Sequence, residues 1–202
     1  MTYTDIRLIK TEASTVEIQP GELAQRLGTK RDFSFDALDQ CRRRLLDVIC
    51  YQCAYIRVVV DLSRENQCDF GFMKIPSRHL YRNLQGCCEA YVLAFTTGIG
   101  VDRLLARLNV TSQAEHFMTD ALSSAAIESY CDMVCRELNR QTPCVPRFSP
   151  GYGDVSLNFQ RPLLQRLQAD VNLGIILNQA FLMTPVKSIT AIMGIRSTLQ
   201  RG

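Results

Sequence analysis

Cys87-Cys88-Glu89-Ala90-Tyr91-Val92-Leu93-Ala94-Phe95-Thr96-Thr97 is a mostly apolar run of strand length. A strand with one wet face alternates apolar and polar residues. This one is apolar nearly throughout, which predicts a central strand covered on both faces. Gly98 and Gly100 punctuate its end, and Val101 to Leu108 starts a helix. On the N-terminal side, Ser77 is placed to cap a short helix with Leu80 and Leu84 facing inward and Gly86 as its stop.

Further out, Thr15-Val16-Glu17-Ile18-Gln19 alternates like a short strand, and Pro20 opens a short helix that ends at Gly28. Ser34 is the expected N-cap of a longer helix to about Cys53, with Phe35, Leu38, Leu45, Leu46 and Ile49 on its apolar face. Residues 54–61 are rich in β-branched side chains and read as a strand, with residues 69–75 as its hairpin neighbour. After the central strand, Ser112 and Glu115 form a capping-box pattern. A long helix follows, roughly to Arg140, with Phe117, Ala121, Leu122, Ala125, Met133 and Leu138 at helical spacing. Another helix is expected to run to about Ala169, with Pro162 near its start, and residues 173–177 and 188–193 read as the last two strands. Strands thus come in pairs separated by helices, without regular βαβ alternation. The pattern predicts an α+β fold, a largely antiparallel twisted sheet flanked by helices.

At 202 residues, with 47% hydrophobic and 21% charged residues, the chain reads as one globular domain over 1–202, or one with a small N-terminal lobe at 1–70. The net charge is +3 and the basic residues are scattered, so nucleic acid is not an expected partner. Arg42-Arg43-Arg44 lies inside a helical pattern and reads as a solvated face, or else as a docking patch. No run of about eighteen apolar residues offers a membrane span. The first residues lack the basic and apolar regions of a signal peptide. Nine cysteines then read as reduced thiols, many of them small buried apolar groups, in a cytoplasmic protein.

Between the two long C-terminal helical patterns lies Pro146-Arg147-Phe148-Ser149-Pro150-Gly151-Tyr152-Gly153-Asp154. Two prolines stiffen this loop, and two glycines permit positive φ or a close backbone approach. By composition it is either an ordinary Pro/Gly turn or a stiff cradle presenting an arginine, an aromatic and a carboxylate to a small ligand.

Arg147-x-x-x-Gly151-Tyr152, together with Met183-Thr184-Pro185-Val186-Lys187-Ser188-Ile189-Thr190, resembles the S-adenosylmethionine-binding activation domain of vitamin B12-dependent methionine synthase. More closely, the chain resembles the short stand-alone proteins similar to that domain. The resemblance is strong over residues 128–196, weaker over 75–102, and without a matching motif in the first seventy residues. Residues 75–196 thus form the family-like core, and the α+β class agrees with the family's fold.

The resemblance implies a site for S-adenosylmethionine, which carries a carboxylate, an ammonium, a sulfonium and a flat adenine. The planar fork of Arg147 suits the carboxylate. Glu128, one turn from Asp132 on the long helix, would meet the ammonium, or else is a surface carboxylate. Tyr152 would offer an aromatic face and a hydroxyl. Gly151 would let the backbone approach the ligand, and Ser149 and Pro150 would line the adenine side. Asp154, a departure from the fused enzymes, caps the following segment or touches ligand. Lys187 and Ser188 contact ligand or lock the sheet. Beyond Arg196 no tail is evident to supply the late contacts of the fused enzymes, so a more open site is expected.

Cys50-x-x-Cys53 is a lone CxxC, and neither His79 nor His116 sits in a metal motif, so a zinc site is not expected. Gly98-Ile99-Gly100 lacks the third glycine of a dinucleotide fingerprint. No nucleophile–base arrangement is legible, and the glycine-rich loop of ordinary S-adenosylmethionine methyltransferases has no counterpart. The family resemblance therefore implies an accessory module without independent catalytic chemistry. It would present a methyl group to cobalamin held by a methionine synthase or another corrinoid protein, with an electron donor such as a flavodoxin-like protein. The alternative is an S-adenosylmethionine-binding or regulatory module that lacks the methyl-donor role.

Overall fold

The computed structural model describes residues 5–28 and 34–196; the tail considered beyond Arg196 lies outside them. The first elements are β1 (Arg7–Thr11), α1 (Pro20–Leu27), α2 (Phe35–Leu46), β2 (Tyr51–Val59), β3 (Gln67–Asp69) and β4 (Lys74–Pro76). There follow α3 (Arg78–Asn83), β5 (Cys87–Thr96), α4 (Ile99–Thr111) and α5 (Gln113–Gln141). The chain then forms α6 (Gln160–Arg166), α7 (Ala169–Leu173), β6 (Ile176–Leu177), β7 (Met183–Thr184) and β8 (Ser188–Arg196).

The class is α+β, with an antiparallel sheet in the order β1-β2-β5-β8 flanked by helices. β5 is central as expected. Ala90, Val92 and Ala94 enter one core with Ile56, Leu80, Leu84 and Leu163. Tyr91, Leu93 and Phe95 enter the other with Leu45, Leu122 and Tyr130. A period of two delivers alternate residues to opposite faces, and here both faces are covered. Among the described residues, no helix is long and apolar enough to cross a membrane.

The caps behave as side-chain chemistry dictates. The hydroxyls of Ser34, Ser77 and Ser112 accept hydrogen bonds from the backbone N–H groups of Ala37, Leu80 and Glu115. The capping box at Ser112 is half-formed, because the Glu115 carboxylate accepts instead from Arg44 Nη1 at 2.7 Å. Arg43 pairs with Asp39, so two members of the arginine cluster are engaged within the fold.

Six local expectations are corrected. Residues 15–19 form no strand; a 3-10 turn occupies Ala13–Thr15, and the strand is β1, whose charged residues suit a sheet edge. The helix after Ser34 stops at Leu46, because the chain from Tyr51 onward pairs with β1 and β5. Phe35 is 83% exposed rather than on its buried face. Residues 69–75 do not pair with β2 as a strand; β3 and β4 pair with each other. The helix expected to run to about Ala169 is split into a 3-10 turn (Leu157–Phe159), α6 and α7, with Gln168 left-handed at φ 47° between the last two. The strand expected at 173–177 shrinks to β6, which pairs with β7.

Beyond β8, the chain from Pro143 to Phe148 runs along the sheet edge. Val145 N–H donates to Gly194 O at 2.9 Å, Arg196 N–H to Pro143 O at 2.8 Å, and Phe148 and Ile192 exchange both bonds at 2.8 Å. Gly194 permits this approach. A Cβ there would stand 2.6 Å from Leu84 Cδ2, 2.8 Å from Cys87 Sγ and 3.0 Å from Val145 Cγ2. Gly194→Ala is therefore expected to destabilise the protein by about 1–3 kcal/mol, the usual range for overpacking. A denaturant titration yielding less than about 0.5 kcal/mol would show that these neighbours yield freely.

Candidate functional site

Cys144 bridges to Ile195 and Phe148 to Ile192, so residues 145–147 oppose only residues 193–194. That extra residue is a bulge, and a bulge re-aims side chains. Phe148 packs with the core on one side of the sheet, while Arg147 turns towards α5 on the other. Its Nη2 donates to Glu128 Oε2 at 2.8 Å and to Asp132 Oδ1 at 3.0 Å. Glu128 also faces Arg26 of α1, 3.8 Å from its other oxygen.

Between α5 and this edge segment lies a cavity of about 680 Å³, within the size range of small-molecule sites. From α5 come Glu128, Asp132, Cys135, Arg136 and Asn139, spaced so that successive turns present them on one face. Arg147, Ser149 and Tyr152 of the edge segment and loop line it as well, and so does Met193 of β8. Tyr152 is 67% exposed, leaving its ring open to a ligand at the rim.

Of the residues singled out from the sequence, Glu128, Arg147, Ser149 and Tyr152 line this cavity, and Pro150 and Gly151 do not. Pro150 is buried. Gly151 has φ 92°, and a Cβ there would stand 2.8 Å from Leu157 Cδ2, so packing accounts for glycine at this position. Asp154 caps α3, an earlier element and not the following one: Ser77 Oγ donates to its carboxylate, as does Arg78 N–H at 2.8 Å. Lys187 is spent on α5, donating to Asp120 Oδ1 and Ser124 Oγ at 2.7 Å each, and Ser188 Oγ bonds Pro185 O at 2.7 Å. The second motif therefore locks the sheet to its helices.

Arg136, Asn139, Cys135 and Cys144 were not foreseen as cavity residues. The 128/132/136/139 spacing on one helix was the signal available for two of them. Burial pushes the thiols of Cys135 and Cys144 up to about 11, so both are neutral at physiological pH. Burial alone would lower the pKa of Arg147; its hydrogen bonds to Glu128 and Asp132 reverse that, and the net shift is upward. The guanidinium is thus fixed as a cation. All nine cysteines are free thiols, and no group of three or more His, Cys, Asp or Glu among the described residues is placed to hold a metal.

No family model matches the chain, and neither does any curated protein. The fold is shared with the crystal structure of the MetH reactivation domain bound to AdoHcy, with a TM-score of 0.68 at 13% identity. The match covers 94% of this chain and 78% of that one.

Two predictions follow from the site. Arg147 is two-thirds or more shielded and holds two carboxylates. Arg147→Ala is accordingly expected to lower ligand-free stability by about 1–3 kcal/mol, since the acceptors lose a charged donor. An unchanged denaturation midpoint would show that these ion pairs add nothing to the ligand-free fold. Asp154 is held down to about 2, chiefly by the Ser77 hydroxyl and further by N–H groups of α3. Its folded pKa lies below the unfolded value of about 3.9, so its contribution is complete above that value and vanishes as pH falls towards 2. Asp154→Asn should be less stable than the parent at pH 7, and melts taken between about pH 4 and pH 2 should show the gap closing.

Proposed function

We propose that the α5 cavity binds S-adenosylmethionine and that the protein is an accessory module for reductive methylation of cob(II)alamin in a cobalamin-dependent methionine synthase. The observation that carries this reading is the convergence of Glu128 and Arg147, 2.8 Å apart, on a cavity of about 680 Å³ rimmed by an exposed Tyr152. The carboxylates of Glu128 and Asp132 and the guanidiniums of Arg147 and Arg136 set both signs of charge at the cavity, which suits a ligand bearing an ammonium, a sulfonium and a carboxylate. The shared fold with a domain solved with AdoHcy bound supports the same ligand class.

In this reading a cobalamin held by a partner, reduced by an electron donor such as a flavodoxin-like protein, would be the acceptor of the methyl group, and AdoHcy would leave with the electron pair of the broken carbon–sulfur bond. The chain's own task is to bind and orient the methyl donor, a contribution made through proximity rather than through acid, base or nucleophile. Docking onto the cobalamin module would be transient, because that module must also meet its other methyl donor and its acceptor.

Saturating the protein with S-adenosylmethionine at one hundred times Kd should add about 2.7 kcal/mol of stability. Absence of a thermal shift and of calorimetric heat at millimolar ligand would remove the reading. The role is tested by adding the chain, reductant and S-adenosylmethionine to a methionine synthase truncated before its activation domain and holding cob(II)alamin. Methylcobalamin should appear only with the chain present, and more slowly with Tyr152→Ala. Binding without any gain in methylcobalamin would assign the site to the regulatory alternative.

A further inference from the structure

We infer that α3 positions the Tyr152 wall of the cavity: Asn83, Gly153 and Asp154, none of which lines the cavity, hold the loop over residues 146–154 in place for the ligand. This rests on the reading of the cavity as an S-adenosylmethionine site and adds a way for a helix outside that cavity to govern its affinity.

The two walls of the cavity belong to different layers of the fold. α5 packs through Leu122, Ala126 and Tyr130 into the core on one side of the sheet. The loop and its flanks are rooted in the other core by Val145, Phe148 and Val155, where α3 also packs through Leu80 and Leu84.

α3 grips the loop at both ends. At its C-terminal end, Asn83 Nδ2 donates to Pro146 O at 3.2 Å. At its N-terminal end, the Asp154 carboxylate accepts from Ser77 Oγ, from Arg78 N–H at 2.8 Å and from His79 N–H at 3.3 Å. Bonds to an ionised acceptor are the stronger kind, so this end is the firmer anchor. The Ser77 hydroxyl accepts in turn from Leu80 N–H at 2.9 Å, and one oxygen thus serves both the helix cap and the loop. Between the anchors the loop closes on itself: Gly151 N–H donates to Val155 O at 2.8 Å, and Val155 N–H to Tyr152 O at 3.1 Å. Gly153, next to Tyr152, has φ 56° and is pressed against α3. A Cβ there would stand 2.3 Å from His79 Nδ1 and 3.1 Å from its Cγ.

A wall held in this way is in place before the ligand arrives. A loop released from α3 must be ordered during binding, and that lost freedom is subtracted from the affinity. Coupling of this kind is reciprocal, so a ligand seated against Tyr152 should steady α3 in return.

The test combines calorimetric titration with S-adenosylmethionine and backbone hydrogen exchange, both on the full chain. Asp154→Asn and Gly153→Ala should each weaken the ligand about fivefold or more, the low end of coupling between sites. Both should speed exchange over residues 147–155 while β5 keeps its protection, which verifies that the variants are folded. Adding His79→Ala to Gly153→Ala removes the ring that the new methyl meets and leaves the His79 N–H in place, so part of the affinity should return. Ligand added to the parent should slow exchange at the amides of Arg78 and His79, neither of which lines the cavity. If both variants bind as tightly as the parent, or exchange rises in β5 as much as in the loop, the inference is overturned while the site reading stands. If the parent binds no S-adenosylmethionine, the site reading falls and the inference with it.

Discussion

Ala90, Val92 and Ala94 pack into one core and Tyr91, Leu93 and Phe95 into the other, so the central strand has no face that water reaches. A strand buried on both sides demands a layer of structure above and below it. α1, α2, α4 and α5 supply one layer, while α3, α6, α7 and the β3–β4 hairpin supply the other. β8 inherits the same constraint, with Ile192 facing one core and Ala191, Met193 and Ile195 the other. Along its outer edge a further segment attaches by backbone bonds, and that segment carries Arg147.

The cavity is a product of that attachment. α5 is clamped in its N-terminal half by Lys187, through Asp120 and Ser124, and packs its apolar face on the sheet. Its C-terminal half then stands beside the edge segment with a polar stripe facing it. The bulge between Cys144 and Phe148 sets which way Arg147 points, and without the extra residue that side chain would fall on the other face. The electrostatics follow from this geometry: a shielded guanidinium gathers two carboxylates, and a second, uncommitted guanidinium remains further down the helix.

Much of this was legible where a local rule governs the residue. The caps at Ser34, Ser77 and Ser112, the positive φ at Gly28 and Gly86, and the double burial of β5 all follow from nearby sequence. Glu128 and Arg147 were legible as residues of one site only through a family resemblance, and their ion pair was not legible, because they meet across a helix and a loop. What escaped depends on distant partners. β1 shows little apolar alternation because it lies at an edge, and α2 ends where the chain joins the sheet. Lys187 carried no sign of being spent on Asp120 and Ser124, nor Asp154 of being spent on Ser77. In each case a polar side chain in a motif does structural work that only the tertiary partner reveals.

The edge segment also determines how another chain can approach. Cys144 N–H is used by Asn139, Pro146 has no N–H, and Pro146 O accepts from Asn83 at 3.2 Å. Strand addition, a common route for recruiting a polypeptide to a sheet, finds few free backbone groups beside the cavity. The outer side of β1, at the opposite end of the strand order, has no such cover among the described residues. A polypeptide approaching the cavity would therefore have to read side chains, whose replacement leaves the backbone ladder intact, so this surface can diversify without unpicking the fold.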